Sequence, residues 1–360
     1  MFNSKTKMTK KKINILITGC GAPGISGTIY SLKADNKLYE IYTIGTDTNP
    51  WAVGKHFCDH FEVIPSFKDT QQYLDNLIDI STRYGVDVIL PQNTLELSIL
   101  ADNKHLFDKI NTKVLISNKD AINKSNNKYN LMQAAEKAGI PYPLYVEVDN
   151  IVDLEKTLKS FGWPEKKVVI KPPLSNGSRG VRIIDEDIDL KDKFFTEKPG
   201  ILSTNFEIIK LTLGASFNTL LVMEYLPGQE YSVDILRVKD KKLVIPRSRA
   251  SIKSGITFSG KIENNTLIEK YSIELADALD LKYCFGFQFI LKNDIPYIIE
   301  CNPRVQGSMV ISTLGGANII LNSILNLLSE DMLPMDLKYD TLFTRYWGGI
   351  SENGDGKKII

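Results

Sequence analysis

The segment FGFQFILKNDIPYIIECNPRVQGS (residues 285–308) holds two apolar runs rich in aromatic and β-branched residues, parted by the polar turn KNDIP. It reads as a β-hairpin. Centring the turn near Asp294 places Gln288 and Glu300 opposite each other, because both are equally distant from that centre. Strand side chains repeat with period two, so Glu300, Asn302 and Arg304 share a face. That face gathers a carboxylate, amides and a guanidinium beside apolar neighbours. Burying such groups without partners is costly, so they either satisfy one another as a structural network or serve a ligand. Mg2+ is the ligand whose chemistry suits them, since it takes oxygen donors and needs few carboxylates when phosphate and water complete its shell.

Upstream, KKVVIKPPLSNGSRGVRIID (166–185) reads as two strands around a loop of Ser175, Asn176, Gly177, Ser178, Arg179 and Gly180. Small residues there let backbone amides approach a phosphate, and Lys171 adds a fixed positive charge; an ordinary hairpin would use the same composition. LLVMEYLPGQEYSVDIL (220–236) reads as two strands around Pro227 and Gly228, with Glu224 before the turn and Glu230 after it. These carboxylates suit a base amine and a ribose, or a solvated hairpin rim. In VIPRSRASIKSG (244–255), Arg247 and Arg249 share a face and Lys253 follows, which fits an anionic acceptor pocket or a solvated strand face. Ser308 and the start of the next helix offer a site for a second carboxylate.

The N-terminal part alternates strands (INILITG, EIYTIGTD, FEVIP, VDVILP, KVLIS) with helical patterns such as DTQQYLDNLIDISTRYG, which defines a doubly wound α/β unit. Its first turn, GCGAPG, has GxGxxG spacing and is followed by Asp47, as in a dinucleotide fingerprint; a tight turn with no ligand needs glycines equally. A Walker A loop is excluded because Ile25 and Ser26 stand where Lys and Ser/Thr belong, and the apolar run before Cys20 is too short for a lipoprotein signal. His56 and His60 could share a metal but lack an evident third ligand. From about residue 118 the pattern changes, and the helix NNKYNLMQAAEKAG (126–139) ends at a glycine followed by IPYP.

With 43% hydrophobic and 24% charged residues, 360 residues suffice for two or three globular units. A net charge of +1 gives no reason to expect nucleic acid or an acidic membrane as partner, although five lysines lie in the first twelve residues. No apolar run approaches the roughly 20 residues that cross a bilayer. The four cysteines form no CxxC pair, and a reducing cytoplasm suits them.

Taken in order along the chain, these motifs resemble the ATP-grasp superfamily, in its carbamoyl-phosphate synthase large-subunit and biotin carboxylase branch. The resemblance covers nearly the whole chain and implies a mixed α/β and α+β fold. Its expected layout is a disordered basic leader at 1–12, a Rossmann-like pre-ATP-grasp domain at 13–117, an ATP-grasp domain at 118–332 with a lid subdomain at roughly 140–225, and a C-terminal tail at 333–360. In that layout GxGxxG does not require NAD. Lys128 and Lys171 are then the cations on the ATP phosphates, and Ser175, Asn176, Gly177, Ser178, Arg179 and Gly180 form the phosphate lid. Glu224, Tyr225 and Leu226 hold adenine, the latter two through backbone groups, and Glu230 holds the ribose. Gln288, Glu300 and Asn302 match the metal-binding pattern, for two Mg2+ ions with Mn2+ as an expected substitute. Arg304, catalytic together with Lys171, faces the transferring phosphoryl group or the activated substrate.

The activity so implied is ATP-dependent ligation of a small carboxylate to an amine or related nucleophile through an acyl phosphate, with release of ADP and phosphate. A nucleotide-binding regulatory protein and an NAD-dependent oxidoreductase are the alternatives. A homodimer is compatible with the resemblance; nucleic-acid and membrane partners are not expected. Two departures matter. No histidine stands in the second half, and the chain stops soon after RYWGGI (345–350), so neither biotin carboxylase nor complete carbamoyl-phosphate synthase activity is expected.

Overall fold

Parallel strands open the chain: β1 (Lys11–Ile17), β2 (Tyr39–Asp47), β3 (His60–Val63), β4 (Val88–Leu90) and β5 (Lys113–Val114), in the order β3-β2-β1-β4-β5. Ile13, Ile15 and Ile17 are buried on one face of β1 and Leu16 on the other, the double burial that a parallel sheet between helices demands. The helix Thr70–Tyr84 begins where the Asp69 carboxylate accepts the Gln72 N–H, and ends at Gly85, whose φ of 55° admits a glycine readily.

This computed structural model describes residues 10–34, 36–175, 177–197, 202–239, 241–253, 255–353 and 356–360. Residues 1–9 of the expected leader and Asn176 of the expected lid lie outside them. Strand β1 already starts at Lys11, so the last leader residues belong to the sheet.

A second sheet comprises β6 (Tyr145–Asn150), β7 (Val168–Lys171), β8 (Arg182–Ile184), β9 (Ser203–Thr204) and β10 (Ser216–Glu224), ordered β6-β10-β7-β8-β9. The third is antiparallel: β11 (Glu230–Val238), β12 (Lys241–Lys253), β13 (Ile256–Ile262), β14 (Tyr283–Lys292), β15 (Ile295–Asn302) and β16 (Leu342–Thr344), ordered β15-β14-β11-β12-β13-β16. A hairpin of β17 (Ile350–Asn353) and β18 (Gly356–Ile359) follows.

Two expectations change here. The segment from 333 is more than a tail, because β16 pairs with β13 and closes the third sheet. The strands flanking Pro227 and Gly228 do not form a hairpin: β10 pairs with β6 and β7, and β11 with β12 and β14. Residues 225–229 therefore run from one sheet to the other. A Cβ at Gly228 would stand 1.6 Å from the Leu291 carbonyl oxygen, so only glycine fits where this linker crosses the end of β14.

One apolar cluster ties the N-terminal sheet to the third. It joins Ile13, Ile15, Ile17, Ile25 and Ile29 to Leu236, Ile245 and the buried residues of the helix Ile319–Leu327. Ile319 to Leu325 of that helix are all buried, Asn322 and Ser323 included, because it is enclosed between the third sheet and the helix Ile25–Lys33. Among the described residues, no helix is long and apolar enough to cross a membrane.

Candidate active site

The glycine loop after β1 is used by the chain itself. Gly19 has φ 60°, and the Gly21 N–H donates to Asp47 Oδ2 at 2.6 Å, while the Asn49 N–H donates to Oδ1 at 2.9 Å. The acid that a dinucleotide fold would offer to a ribose is thus bonded to its own loops. A Cβ on Gly24 would lie 2.4 Å from Gly307 Cα, so this glycine permits close approach of the N-terminal loop to the segment after Arg304.

On the third sheet Gln288 does stand opposite Glu300, and Gly286 opposite Asn302. The route to that register differs from the expected one. The turn is centred between Asn293 and Asp294, whose φ angles are 51° and 63°, and its ladder pairs Lys292 with Ile295 and Phe289 with Ile298. Continued without interruption, it would set Ile299 against Gln288. A bulge at this point shifts the register by one residue and brings Glu300 there instead. The Ile299 carbonyl, displaced from the ladder, accepts from the Lys171 ammonium at 3.3 Å.

Lys171 ends β7, and Lys128 opens the helix Lys128–Lys137, whose first N–H groups are capped by the Asn127 side chain. Both lysines are more than nine-tenths buried. Lys128 Nζ lies 3.6 Å from Glu300 Oε1 and donates to the Ser175 hydroxyl and carbonyl oxygens at 3.4 Å. Burial, with Lys128 beside it, pushes Lys171 down to about 8, against the pull of Glu300 and Glu230. Two ammonium groups enclosed near one carboxylate leave positive charge that an incoming polyanion would offset.

Arg304 reaches from this face to the N-terminal sheet. Its Nε donates to Thr94 Oγ1 at 2.9 Å, NH1 to the Val305 carbonyl at 2.8 Å and NH2 to Asn302 Oδ1 at 3.5 Å. Burial lowers its pKa, opposed by Glu300 and Glu96. Thr94 is a contact that residue type alone did not reveal, although PQNTLE follows the carboxyl end of β4, where such sheets bind ligands. Glu96 organises that loop: its carboxylate accepts from the Thr18 hydroxyl at 2.6 Å, the Tyr73 hydroxyl at 2.5 Å and the Asn93 N–H at 2.9 Å, and burial raises its pKa.

Glu224, the last residue of β10, pairs with Lys292; in the linker that follows, Leu226 is buried and Tyr225 partly exposed. Glu230 accepts from Arg249 NH1 at 2.8 Å. Arg249 also donates to Thr257 Oγ1 at 3.0 Å and the Gly255 carbonyl at 2.7 Å. In the loop expected to form the lid, Gly177, Ser178 and Gly180 have φ of 57°, 60° and 75°, and a Cβ on Gly255 would lie 2.8 Å from Ser178 Oγ, so Ser178 rests against the β12–β13 turn.

The expected acceptor pocket of Arg247, Arg249 and Ser308 does not form. Arg247 and Asp234 are both wholly buried, joined at 2.6 Å, and Arg247 NH1 donates to Ser308 Oγ at 3.0 Å. Asp234 Oδ2 accepts from the Ser312 hydroxyl at 2.5 Å. Arg247 and Ser308 thus belong to an internal network, and Arg249 serves Glu230. Asp234→Ala should destabilise the protein by about 3–5 kcal/mol, because it strands a buried guanidinium. A urea midpoint close to wild type would refute that. His56 and His60 also separate: His56 lies beside Glu352, and His60 between Glu62 and the Tyr84 hydroxyl. The four cysteines are free.

The sheets, the linker and the buried lysines beside the Gln288–Glu300–Asn302 face can be set against known proteins. Residues 216–342 match the family model described as ATP-grasp in the biosynthetic pathway with Ter operon, and residues 15–115 match the one described as PylC-like, N-terminal domain. The third sheet is thus similar to ATP-grasp domains and the N-terminal sheet to PylC-like N-terminal domains. It is similar to the carbamoyl phosphate synthase large chain of Buchnera aphidicola, with 24% identity over 255 residues, covering 63% of this chain and 22% of that one. The chain therefore spans about a fifth of that relative's length. Among solved structures, an ADP complex of N5-carboxyaminoimidazole ribonucleotide synthetase aligns with TM-score 0.66 and 18% identity over 92% of this chain and 81% of that one. Biotin carboxylase of Campylobacter jejuni aligns with TM-score 0.65 and 17% identity over 91% and 73%. These likenesses concern the fold.

Proposed function

We propose that this chain is an ATP- and Mg2+-dependent ligase that activates a small carboxylate as an acyl phosphate and passes it to an amine or related nucleophile. The observation that carries the reading is the pair of buried lysines, Lys128 and Lys171, beside Glu300 on the oxygen-rich face of the third sheet. Adenine is held by the linker of Glu224, Tyr225 and Leu226, and the ribose by Glu230, which Arg249 orients. Lys128, Lys171 and the amides of the lid residues Ser175, Asn176, Gly177, Ser178, Arg179 and Gly180 take the phosphates.

Gln288, Glu300 and Asn302 offer oxygen donors only, which fits Mg2+ rather than a softer metal. Among the described residues no group of three His, Cys, Asp or Glu side chains could hold a metal, so amides and phosphate oxygens must supplement Glu300. Bound there, Mg2+ supplies neutralisation of phosphate charge; two ions, with Mn2+ able to replace them, suit the reading. Arg304, anchored by Thr94, stabilises charge on the transferring phosphoryl group. A carboxylate oxygen attacks the γ-phosphorus as its bond to the bridging oxygen breaks and ADP leaves. The nucleophile then attacks the acyl carbon and expels phosphate. Closure of the lid excludes water from the acyl phosphate.

A photoreactive adenine nucleotide tests the placement. Label is expected within residues 220–236, and ATP, not NAD, should displace it. Label confined to residues 19–47 and displaced by NAD would instead favour an oxidoreductase.

A further inference from the structure

Arg345, just beyond β16, is a guanidinium that the mechanism above leaves unused. Its NH1 donates to the Pro23 carbonyl at 3.3 Å and its NH2 to the Gly307 carbonyl at 3.2 Å, while its buried Nε has no hydrogen-bond partner. Arg83, Arg237, Arg247 and Arg249 each sit on a carboxylate, whereas among the described residues no ion pair is found for Arg182, which is exposed, or for Arg304 and Arg345, which are partly buried. The position of Arg345 is informative. Pro23 lies in the glycine loop after β1, Gly307 lies in the segment that begins at Arg304, and Gly24 touches Gly307. Thr94, which holds Arg304, follows β4. Two guanidinium groups without a counterion thus converge on the loops at the carboxyl ends of β1 and β4, where ligands of doubly wound sheets gather. Held by two carbonyls and set over the Phe343 ring at 5.6 Å, this guanidinium keeps its charge, and its enclosed Nε–H has no acceptor among the described residues.

We propose that Arg345 recognises a second anionic group on the acceptor substrate, so that the preferred substrate is a small dianion whose activated carboxylate faces Arg304 and whose other anionic group meets Arg345. The assignment rests on the carboxylate-activating reading of the site. It also replaces the pocket expected from Arg247, Arg249 and Ser308.

The test uses the full chain with MgATP and follows ADP release with monoanions (acetate, butyrate), dicarboxylates (succinate, glutarate, glutamate) and a phosphorylated carboxylate (3-phosphoglycerate). The wild type should prefer dianions, and the panel's arms tell a second carboxylate from a phosphate. Arg345→Gln should raise KM for the preferred dianion on the order of 50-fold, the loss expected for charged hydrogen bonds, with kcat and the KM for ATP nearly unchanged. Arg345→Lys should recover part of the loss. A merely structural clamp would alter stability or kcat without changing the preference between mono- and dianions. Equal use of both classes, or an unaltered KM in Arg345→Gln, would overturn the assignment and leave the ligase reading standing. If no acid in the panel stimulates ADP release, the ligase reading fails for these acids, and calorimetric titration of glutarate and 3-phosphoglycerate decides the anion site separately. Weaker binding in Arg345→Gln than in wild type supports it; equal binding, or none to either protein, overturns it.

Discussion

Replacing Glu300 by Gln is expected to lower Mg2+-dependent ADP formation by about 10²–10³-fold, the scale of losing one preorganised electrostatic group. Glu300 is the carboxylate nearest Lys128, with Gln288 across the ladder and Asn302 two residues along. The substituted amide has the same shape and can still fill its place in β15, so the circular dichroism spectrum should be unchanged. It cannot supply the negative charge that holds a divalent cation against Lys128. Turnover within threefold of wild type would remove the metal face from the mechanism.

Lys171→Met should have two effects of opposite kind. Nucleotide affinity should fall, because a cation on the phosphates is gone. The unliganded protein should nonetheless become more stable at neutral pH. Lys171 has a folded-state pKa of about 8 against an ordinary 10.5. Below about 8 both folded and unfolded chains carry the proton, and the fold bears the full penalty of an enclosed charge. Between about 8 and 10.5 the folded chain has lost the proton while the unfolded chain keeps it, so stability rises with pH and the penalty fades. The shift corresponds to roughly 3 kcal/mol at about 1.4 kcal/mol per unit, and the lost bond to the Ile299 carbonyl offsets about 1 kcal/mol of it. The stabilising effect of the substitution should therefore be about 2 kcal/mol at pH 7, fall to zero within that window, and become a destabilisation of about 1 kcal/mol near its upper end. Thermal melts of both proteins from pH 7 to 10 check this. A variant less stable than wild type at pH 7 would contradict it.

The N-terminal sheet was legible because its strands are short apolar runs between helices with clear end signals, such as Asp69 and Gly85. The oxygen-rich face was legible through strand periodicity, yet its register was right for an incomplete reason. Nothing in YIIECN marks the bulge that supplies the extra residue before Glu300. The strands beside Pro227 looked like a hairpin because adjacency in sequence suggests pairing; their division between two sheets depends on long-range partners. Arg247 looked available to a ligand because its partner Asp234 lies on the neighbouring strand, visible only once β11 and β12 are aligned. The carboxylate inside YSVDILRV was the signal to weigh, since an acid within an apolar strand needs a partner. Arg345 was missed because β16 is only three residues long and reads as tail.

The most direct test of carboxylate activation is hydroxylamine trapping on the full chain with MgATP and the acid that best stimulates ADP release. An acyl phosphate should be captured as the acyl hydroxamate of that acid, in an amount matching the ADP formed, with both products lost together in Glu300→Gln. ADP release stimulated by the acid without any hydroxamate would contradict the acyl-phosphate route.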